Sequence, residues 1–363
     1  MPYLLSVCIP TRNRPHALQK TVEEIQKQVV ACQALDVVEI LISDNTDNNE
    51  MKIDGSEFKD SKNVRYMSNN GNIGYARSVN KLILEAHGEY VWLLADDDII
   101  LESAVKSIVD CLNNRQEKVI NYLTFYSGVI RNGVRDGNFY FKNCSQHYFV
   151  DGRAFLEKYW LNIIFISVNI FHKATVISHA EKYALFQNIN DVYQHALMCI
   201  SFIHKFGHVQ IMPKTLLVDS HAEKIYTSYN SVKIPVLDYV KLLTQLKNLD
   251  IDKRCITEIK KDIDSSILSN GLRFVIRRIE TDDEFDYSAE YLKVIKNEKL
   301  YFSSRVKAGF IYLLLKFNKI LSKPIVKAIC ILRGRKNLYK NIRQENIDWY
   351  ENLKKKEKIK VSY

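Results

Sequence analysis

The 363-residue chain lacks any uninterrupted apolar stretch of ~18 residues, so its sequence offers no clear bilayer-spanning helix. It also lacks paired cysteines. The seven, at positions 8, 32, 111, 144, 199, 255 and 330, are scattered, odd in number and without a C-x-x-C spacing. That excludes a disulfide framework and a thiolate metal site, and it suits a reducing compartment. No basic region precedes the first apolar run, so a secretory leader is not expected. Internal repeats are absent, and no low-complexity block precedes the Lys-rich end.

What is present is a core-forming composition with an uneven charge. Hydrophobic residues make up 47% of the chain and its formal net charge is +10. Residues 303–363 carry 16 Lys and Arg against 4 Asp and Glu, so the other 302 residues together sum to −2. The basic character therefore belongs to the tail. Three regions are expected: a domain over 1–225, a helical region over 226–302, and a basic amphipathic tail over 303–363.

The first half of the chain alternates between two periodicities. Short apolar runs at 4–9, 37–42, 63–67 and 90–95 read as strands. Between them, Leu18, Val22, Ile25 and Val29 recur at helical spacing, and helices are expected at 75–87 and 102–112. Such alternation indicates an α/β fold with a mostly parallel open sheet between helices. Beyond it, 119–130, 138–141 and 163–171 read as strands that extend the sheet in mixed direction. A buried helix is expected at 191–204, a strand at 209–218 and a polar linker at 222–236. Helices at 237–249, 254–279 and 288–294 follow.

Asp96, Asp97 and Asp98 sit at the end of the 90–95 strand. Three adjacent carboxylates repel one another. A hard divalent cation with oxygen ligands relieves this; an acidic turn capping the next helix is the plainer alternative. In parallel open sheets, ligands bind outside the carboxyl ends of the strands. Arg12, Asp44 and Asp96–Asp98 are all expected at that edge.

Four motifs occur in order at those strand ends: CIPTRNR, ISDN, NNGNIGYARSVN and LLADDD. Together they resemble an inverting family-two glycosyltransferase of GT-A (Rossmann-like) fold, similar to abequosyltransferase-like bacterial polysaccharide enzymes. The likeness is good over 4–112 and looser to about residue 220. It implies a nucleotide-sugar donor along Pro10, Thr11 and Arg12, with Asp44 near the base. It further implies Asn72, Gly74, Arg77, Asp96 and Asp97 around the sugar and diphosphate. Asp98, with Asp96, would hold Mn²⁺ or Mg²⁺, and His221 would reach the metal or diphosphate. Each has an ordinary alternative. Arg12 and Arg77 suit an exposed surface, Asp44 and Asn72 suit turns, and His221 suits a loop.

Inverting transfer needs a base for the acceptor hydroxyl. The matching place reads Asn188-Ile189-Asn190-Asp191, with one carboxylate where the family usually has a pair. Asp191 is the expected catalytic base or, alternatively, a helix N-cap. His195, one turn later, is a second candidate or a core histidine.

In the tail, Val306, Phe310, Leu313, Leu314, Phe317 and Leu321 share one helical face, flanked by Arg305, Lys307, Lys316, Lys319 and Lys323. A basic amphipathic helix reads as an anchor on an anionic membrane surface; a packed helix pair is the alternative. The same apolar residues would equally serve a homo-oligomer. No nucleic-acid reader motif is present, so nucleic acid is not an expected partner. The likeness implies a cytoplasmic enzyme, peripheral on the inner face of the membrane, adding sugar to a lipid-linked glycan. A nucleotidyltransferase is a weaker fit, because the first loop has no glycine. A non-catalytic carbohydrate-binding scaffold on the same fold is the remaining alternative.

Overall fold

The computed structural model describes residues 3–48, 51, 53, 55–58, 61–114, 119–125, 128–131, 134–138, 147–149, 151–212, 238–280, 287–296, 302–317 and 319–332. The chain divides into two compact units, one made of Met1–Thr227 with Gln245–Ile256, the other of Ser228–Thr244 with Thr257–Tyr363.

The first unit is an eight-stranded sheet in the order β3-β2-β1-β4-β9-β5-β10-β8. Strands β1 (Leu5–Thr11), β2 (Val38–Asp44), β3 (Val64–Ser68) and β4 (Tyr90–Leu93) are mutually parallel. Their β-branched and leucine side chains are buried, as expected for strands covered on both faces. The linking helices are α1 (Pro15–Ala31), α2 (Tyr75–Glu85) and α3 (Ala104–Asn113). Pro15 occupies the first turn of α1, where its missing N–H costs nothing. The stripe Leu18, Val22, Ile25 and Val29 is buried in the core with β1 and β4.

The remaining strands depart from simple alternation. β9 (Asn169–His172) runs antiparallel to both β4 and β5 (Tyr122–Phe125), which it separates. β10 (Val209–Met212) is parallel to β5, and β8 (His147–Phe149) is antiparallel to β10. β6 (Gly128–Arg131) and β7 (Val134–Asn138) form a separate hairpin, so the run at 119–130 is two strands. The run at 163–171 is not one strand either. Helix α4 (Gly152–Ile163) ends inside it, a 3₁₀ turn follows at Ile166–Val168, and only then does β9 begin. A further helix, α5 (Lys173–Lys182), comes before α6 (Gln194–Phe206). The expected continuation of β10 past 212, the 222–236 linker and His221 lie outside the described residues.

The C-terminal helices are α7 (Tyr239–Lys247), α8 (Lys253–Glu280), α9 (Tyr287–Ile295), α10 (Phe302–Lys316) and α11 (Lys319–Leu332). In the second unit, the Tyr291 hydroxyl donates to the Ile267 carbonyl, and Asp264 accepts from Ser304 at 2.5 Å and from Lys307. Among the described residues, no helix is long and apolar enough to cross a membrane.

Helix α4 packs tightly against α6. A Cβ built on Gly152 would lie 1.8 Å from the Ile203 carbonyl oxygen, a backbone atom that has little room to move. Gly152→Ala is therefore expected to destabilise the first unit by about 1–3 kcal/mol, the range for an overpacked core. Gly309→Ala, in α10 with nothing within 4 Å, is expected to be neutral or slightly stabilising. Urea unfolding midpoints check the contrast.

Candidate functional site at the carboxyl edge of the sheet

The register of the parallel strands brings the candidate residues to one edge. Thr11 at the end of β1 pairs with Asp44 at the end of β2, and Asp44 with Ser68 of β3. Leu93 of β4 pairs with Cys8, so the chain leaving β4 delivers Asp96 beside Thr11. The Thr11 hydroxyl donates to Asp96 Oδ2 at 2.6 Å. Thr21 of α1 donates to the Asp96 carbonyl at 2.9 Å. Asp96 and Asp98 are only 4% and 5% exposed, whereas Asp97 is partly open to solvent.

The guanidinium at this cluster belongs to Arg14. Its Nη1 contacts Asp96 Oδ1 at 2.9 Å and Asp97 Oδ2 at 2.8 Å. Arg12, expected there, instead pairs with Asp47 at 2.8 Å, both side chains being well exposed. This ion pair and the Asn13 amide hold the Asp47 carboxyl below its usual range. Asn13 carries a positive φ of 55°, which turns the loop between the two arginines. Its Oδ1 is buried without a hydrogen-bond partner among the described residues, a spare acceptor beside the strand ends.

Asp98 accepts from the Ser167 hydroxyl, which in turn accepts from the Ala95 N–H at 2.9 Å. Thus Asp96 and Asp97 share Arg14, and Asp98 faces Ser167. Among the described residues, no three acidic, His or Cys groups at this edge place ligand atoms within 4.8 Å of one another, and His221 lies outside them. The described group that does so is Glu157, Asp252 and Cys255, on α4 and at the start of α8. Burial and the neighbouring carboxylates push the Cys255 thiol up to about 12. The donor set at the β4 end nevertheless has the chemistry a divalent cation requires. It offers three carboxylates against one guanidinium, all oxygen donors suited to Mg²⁺ or Mn²⁺.

Asp44 is 2% exposed, and its carboxylate is engaged by the protein. Tyr66 donates to Oδ2 at 2.5 Å and the Thr46 N–H to Oδ1 at 2.8 Å. Asn72 Oδ1 accepts from the Gly74 N–H at 2.9 Å, closing a turn. Gly74 has φ 86° at the cap of α2, a conformation that favours glycine. Asn45 holds the Gly74 carbonyl at 3.3 Å, tying this turn to β2. Arg77 is exposed on the first turn of α2, with Nη1 3.4 Å from the Ile73 carbonyl. Pro10 pairs with Ser43 within the β1–β2 ladder.

Asp191 is exposed in a turn, and α6 begins three residues later. Neither Asp191 nor Asn190 caps the helix, whose N-cap is Tyr193 without a side-chain cap; Asn190 Oδ1 accepts from the N–H groups of Tyr193 at 2.9 Å and Val192 at 3.3 Å within the turn that leads into α6. His195 is 3% exposed with both ring nitrogens occupied. Nε2–H donates to the Ile164 carbonyl at 2.9 Å, so Nδ1 is the acceptor for the Tyr75 hydroxyl at 2.7 Å. Burial pulls its pKa down to about 4. A neutral histidine with no free lone pair cannot serve as the base, and His195 is corrected to a residue that orients Tyr75.

Sequence reading missed Arg14, Asn13, Ser167 and Tyr75. Arg14 stands two residues from Arg12 in the quoted motif, but no sequence signal chooses between them. Ser167 lies within the run misread as a strand.

Burial pushes the Asp96 carboxyl up to about 6, with Arg14 pulling against it and Asp97 adding to it. A carboxyl raised in the folded state binds its proton more tightly folded than unfolded. Stability is therefore expected to fall as pH rises from about 4 to about 6, by on the order of 3 kcal/mol. Asp96→Asn should remove that segment of the pH dependence; denaturant titrations at stepped pH check this.

The sequence pattern of Glycosyl transferase family 2 matches residues 6–173. The abequosyltransferase RfbV of Salmonella typhimurium is 31% identical over 116 residues, 31% of this chain and 34% of that protein. The GalNAc(5)-diNAcBac-PP-undecaprenol beta-1,3-glucosyltransferase of Campylobacter jejuni is 32% identical over 111 residues, 30% of this chain and 34% of that protein. The chain spans about a third to a half of the length of the curated relatives it matches. Among solved structures, S. aureus TarS 1-349 in complex with UDP-GlcNAc superposes with a TM-score of 0.54 at 12% identity, covering 96% of this chain and 92% of that one. That likeness concerns the fold alone. Residues 6–173 thus carry the sequence pattern of glycosyl transferase family 2, and the fold resembles that of TarS, a GT-A fold.

Proposed function

We propose that the protein transfers a sugar from a nucleotide-sugar donor to a hydroxyl of a glycan acceptor, with inversion at the anomeric carbon. The observation that carries this is the buried Asp96 at the β4 end, bonded to Thr11 and Arg14 of the β1–α1 segment, with Thr11 itself paired to Asp44 of β2. The donor would lie across the ends of β1, β2 and β4, with Pro10 and Thr11 along the nucleotide and Asp44 near the base. Tyr66 already engages Asp44, so a base would share that carboxylate. Arg77, exposed and held among the described residues by a long contact to the Ile73 carbonyl, would swing to the diphosphate.

Asp98, with Asp96, would hold Mn²⁺ or Mg²⁺, which when bound would offset the charge gathering on the departing diphosphate. The acceptor oxygen attacks the anomeric carbon as the bond to the diphosphate breaks, and Asp191 takes the hydroxyl proton. Its exposure fits a group that must meet a second substrate.

A lipid-linked acceptor and a peripheral site on an anionic membrane are supported by α10, which has two apolar faces. Ala308, Ile311, Leu314 and Leu315 are buried, whereas Phe302, Val306, Phe310, Leu313 and Phe317 form an exposed stripe. Leu314 thus belongs to the packed face. The relative named for a PP-undecaprenol substrate is consistent with this reading.

Asp191→Asn is expected to leave donor binding intact and slow transfer by about 10²–10⁴-fold, the usual contribution of a general base. Asp98→Ala is expected to abolish Mn²⁺-dependent binding of the donor. Calorimetry and release of nucleotide diphosphate across a nucleotide-sugar panel test both; normal turnover in either variant would remove that residue from its role. Replacing Val306 and Leu313 together by Glu should lower sedimentation with phosphatidylglycerol vesicles by about tenfold or more, given the apolar area withheld from lipid. Unchanged sedimentation would refute the membrane surface.

A further inference from the structure

A second cleft lies beside the turn that carries Asp191. Its volume is about 430 Å³, within the range of small-ligand sites. Tyr183, Gln187, Asn188, Gln245 and Asn248 supply its polar lining, and Leu197 belongs to its apolar wall. Among the described residues, no charged side chain lines it. Anions and cations therefore find no counter-charge there. Amides each present both a donor and an acceptor, the complement of a hydroxyl group. Apolar wall and aromatic edge suit the C–H face of a sugar ring.

The cleft is built into the same polar network as the Asp191 turn. Gln245 Nε2 donates to the Asn188 and Ile189 carbonyls at 3.1 and 3.2 Å, and its Oε1 accepts from Asn190 at 2.8 Å. The Asn190 N–H in turn donates to Gln194 Oε1 at 2.8 Å, and Gln194 donates to Asn80 of α2 and to the Leu185 carbonyl. One amide chain thus fixes both the floor of the cleft and the residue placed as base. Gln187, Asn188 and Asn248 stay exposed, and their side-chain amides make no hydrogen bond among the described residues.

We propose that this cleft binds the neutral sugar portion of the acceptor, holding it so that a hydroxyl reaches Asp191. The assignment rests on the glycosyl-transfer reading and adds the place and chemical class of the second substrate. Gln245 is a positioning residue in it, and Asn188 and Asn248 are contacts.

The test titrates the full chain, labelled with ¹⁵N, with a panel of neutral disaccharides: cellobiose, maltose, lactose and chitobiose in its N-acetylated form. The expected result is saturable shifts of the Gln187, Asn188 and Asn248 side-chain amides with at least one of them. In the double variant Asn188→Ala, Asn248→Ala, the dissociation constant should rise about tenfold, as the loss of two neutral hydrogen bonds predicts. A folded variant is verified by its backbone spectrum; Gln187→Ala alone, at an exposed position, supplies a second reading of the same change. Shifts confined to other residues, no binding by any disaccharide, or unaltered affinity in the variants overturns the proposal. Nucleotide-diphosphate release by the unaltered chain is measured in parallel. Release without these shifts rejects the cleft alone, whereas shifts without release reject the donor reading.

Discussion

The site depends on a carboxylate kept out of water. Asp96 is gripped through its side chain by Thr11 and Arg14 and through its carbonyl by Thr21. These contacts join the end of β1, the start of α1 and the loop after β4. Removing a carboxylate from water raises its free energy unless donors or charge compensate. Here the compensation is incomplete, and burial still pushes the group up to about 6. The edge of the sheet therefore holds a local electrostatic deficit of positive charge.

A parallel sheet makes such a concentration feasible. Strands that share direction end at one edge, so Thr11, Asp44 and the segment beginning at Asp96 are adjacent although 85 residues separate the first from the last. The antiparallel β9 then closes the sheet beyond β4, and its approach through the 3₁₀ turn delivers Ser167 to Asp98. The same turn region presents the Ile164 carbonyl to His195, while Tyr75 at the start of α2 takes the other ring nitrogen. One buried histidine so couples α6 to both sides of the edge.

The strands through β4 were legible because short apolar runs buried on both faces have few other solutions, and the aspartates at their ends do lie at the carboxyl edge of the sheet. Finer assignments were not legible, for local reasons. Which arginine turns inward is decided by the positive φ at Asn13 between them, which composition does not encode. Asp191 suits a helix N-cap by residue type, yet α6 starts three residues later, and Asn190 ties the intervening turn instead. His195 has the spacing of a catalytic residue, but its neutrality comes from partners far away in sequence. The run at 163–171 is rich in β-branched and aromatic residues, yet tertiary packing of α4 on α6 extends the helix to Ile163 before β9 starts. Strand propensity lost there to burial of Phe155, Trp160 and Ile163.

The charge arrangement also constrains how a donor is accommodated. A nucleotide diphosphate is itself anionic, and it would approach three carboxylates balanced by the single guanidinium of Arg14. Like charges brought together at a partly dry edge repel strongly. Binding therefore requires a positive partner from outside the cluster. Arg14 is committed to Asp96 and Asp97, so releasing it to the diphosphate would leave those two uncompensated. On the proposed reading, a divalent cation held by Asp98 and Asp96 would supply that positive charge. Arg14 would then keep the acidic edge together before a donor arrives, through its contacts to Asp96 and Asp97.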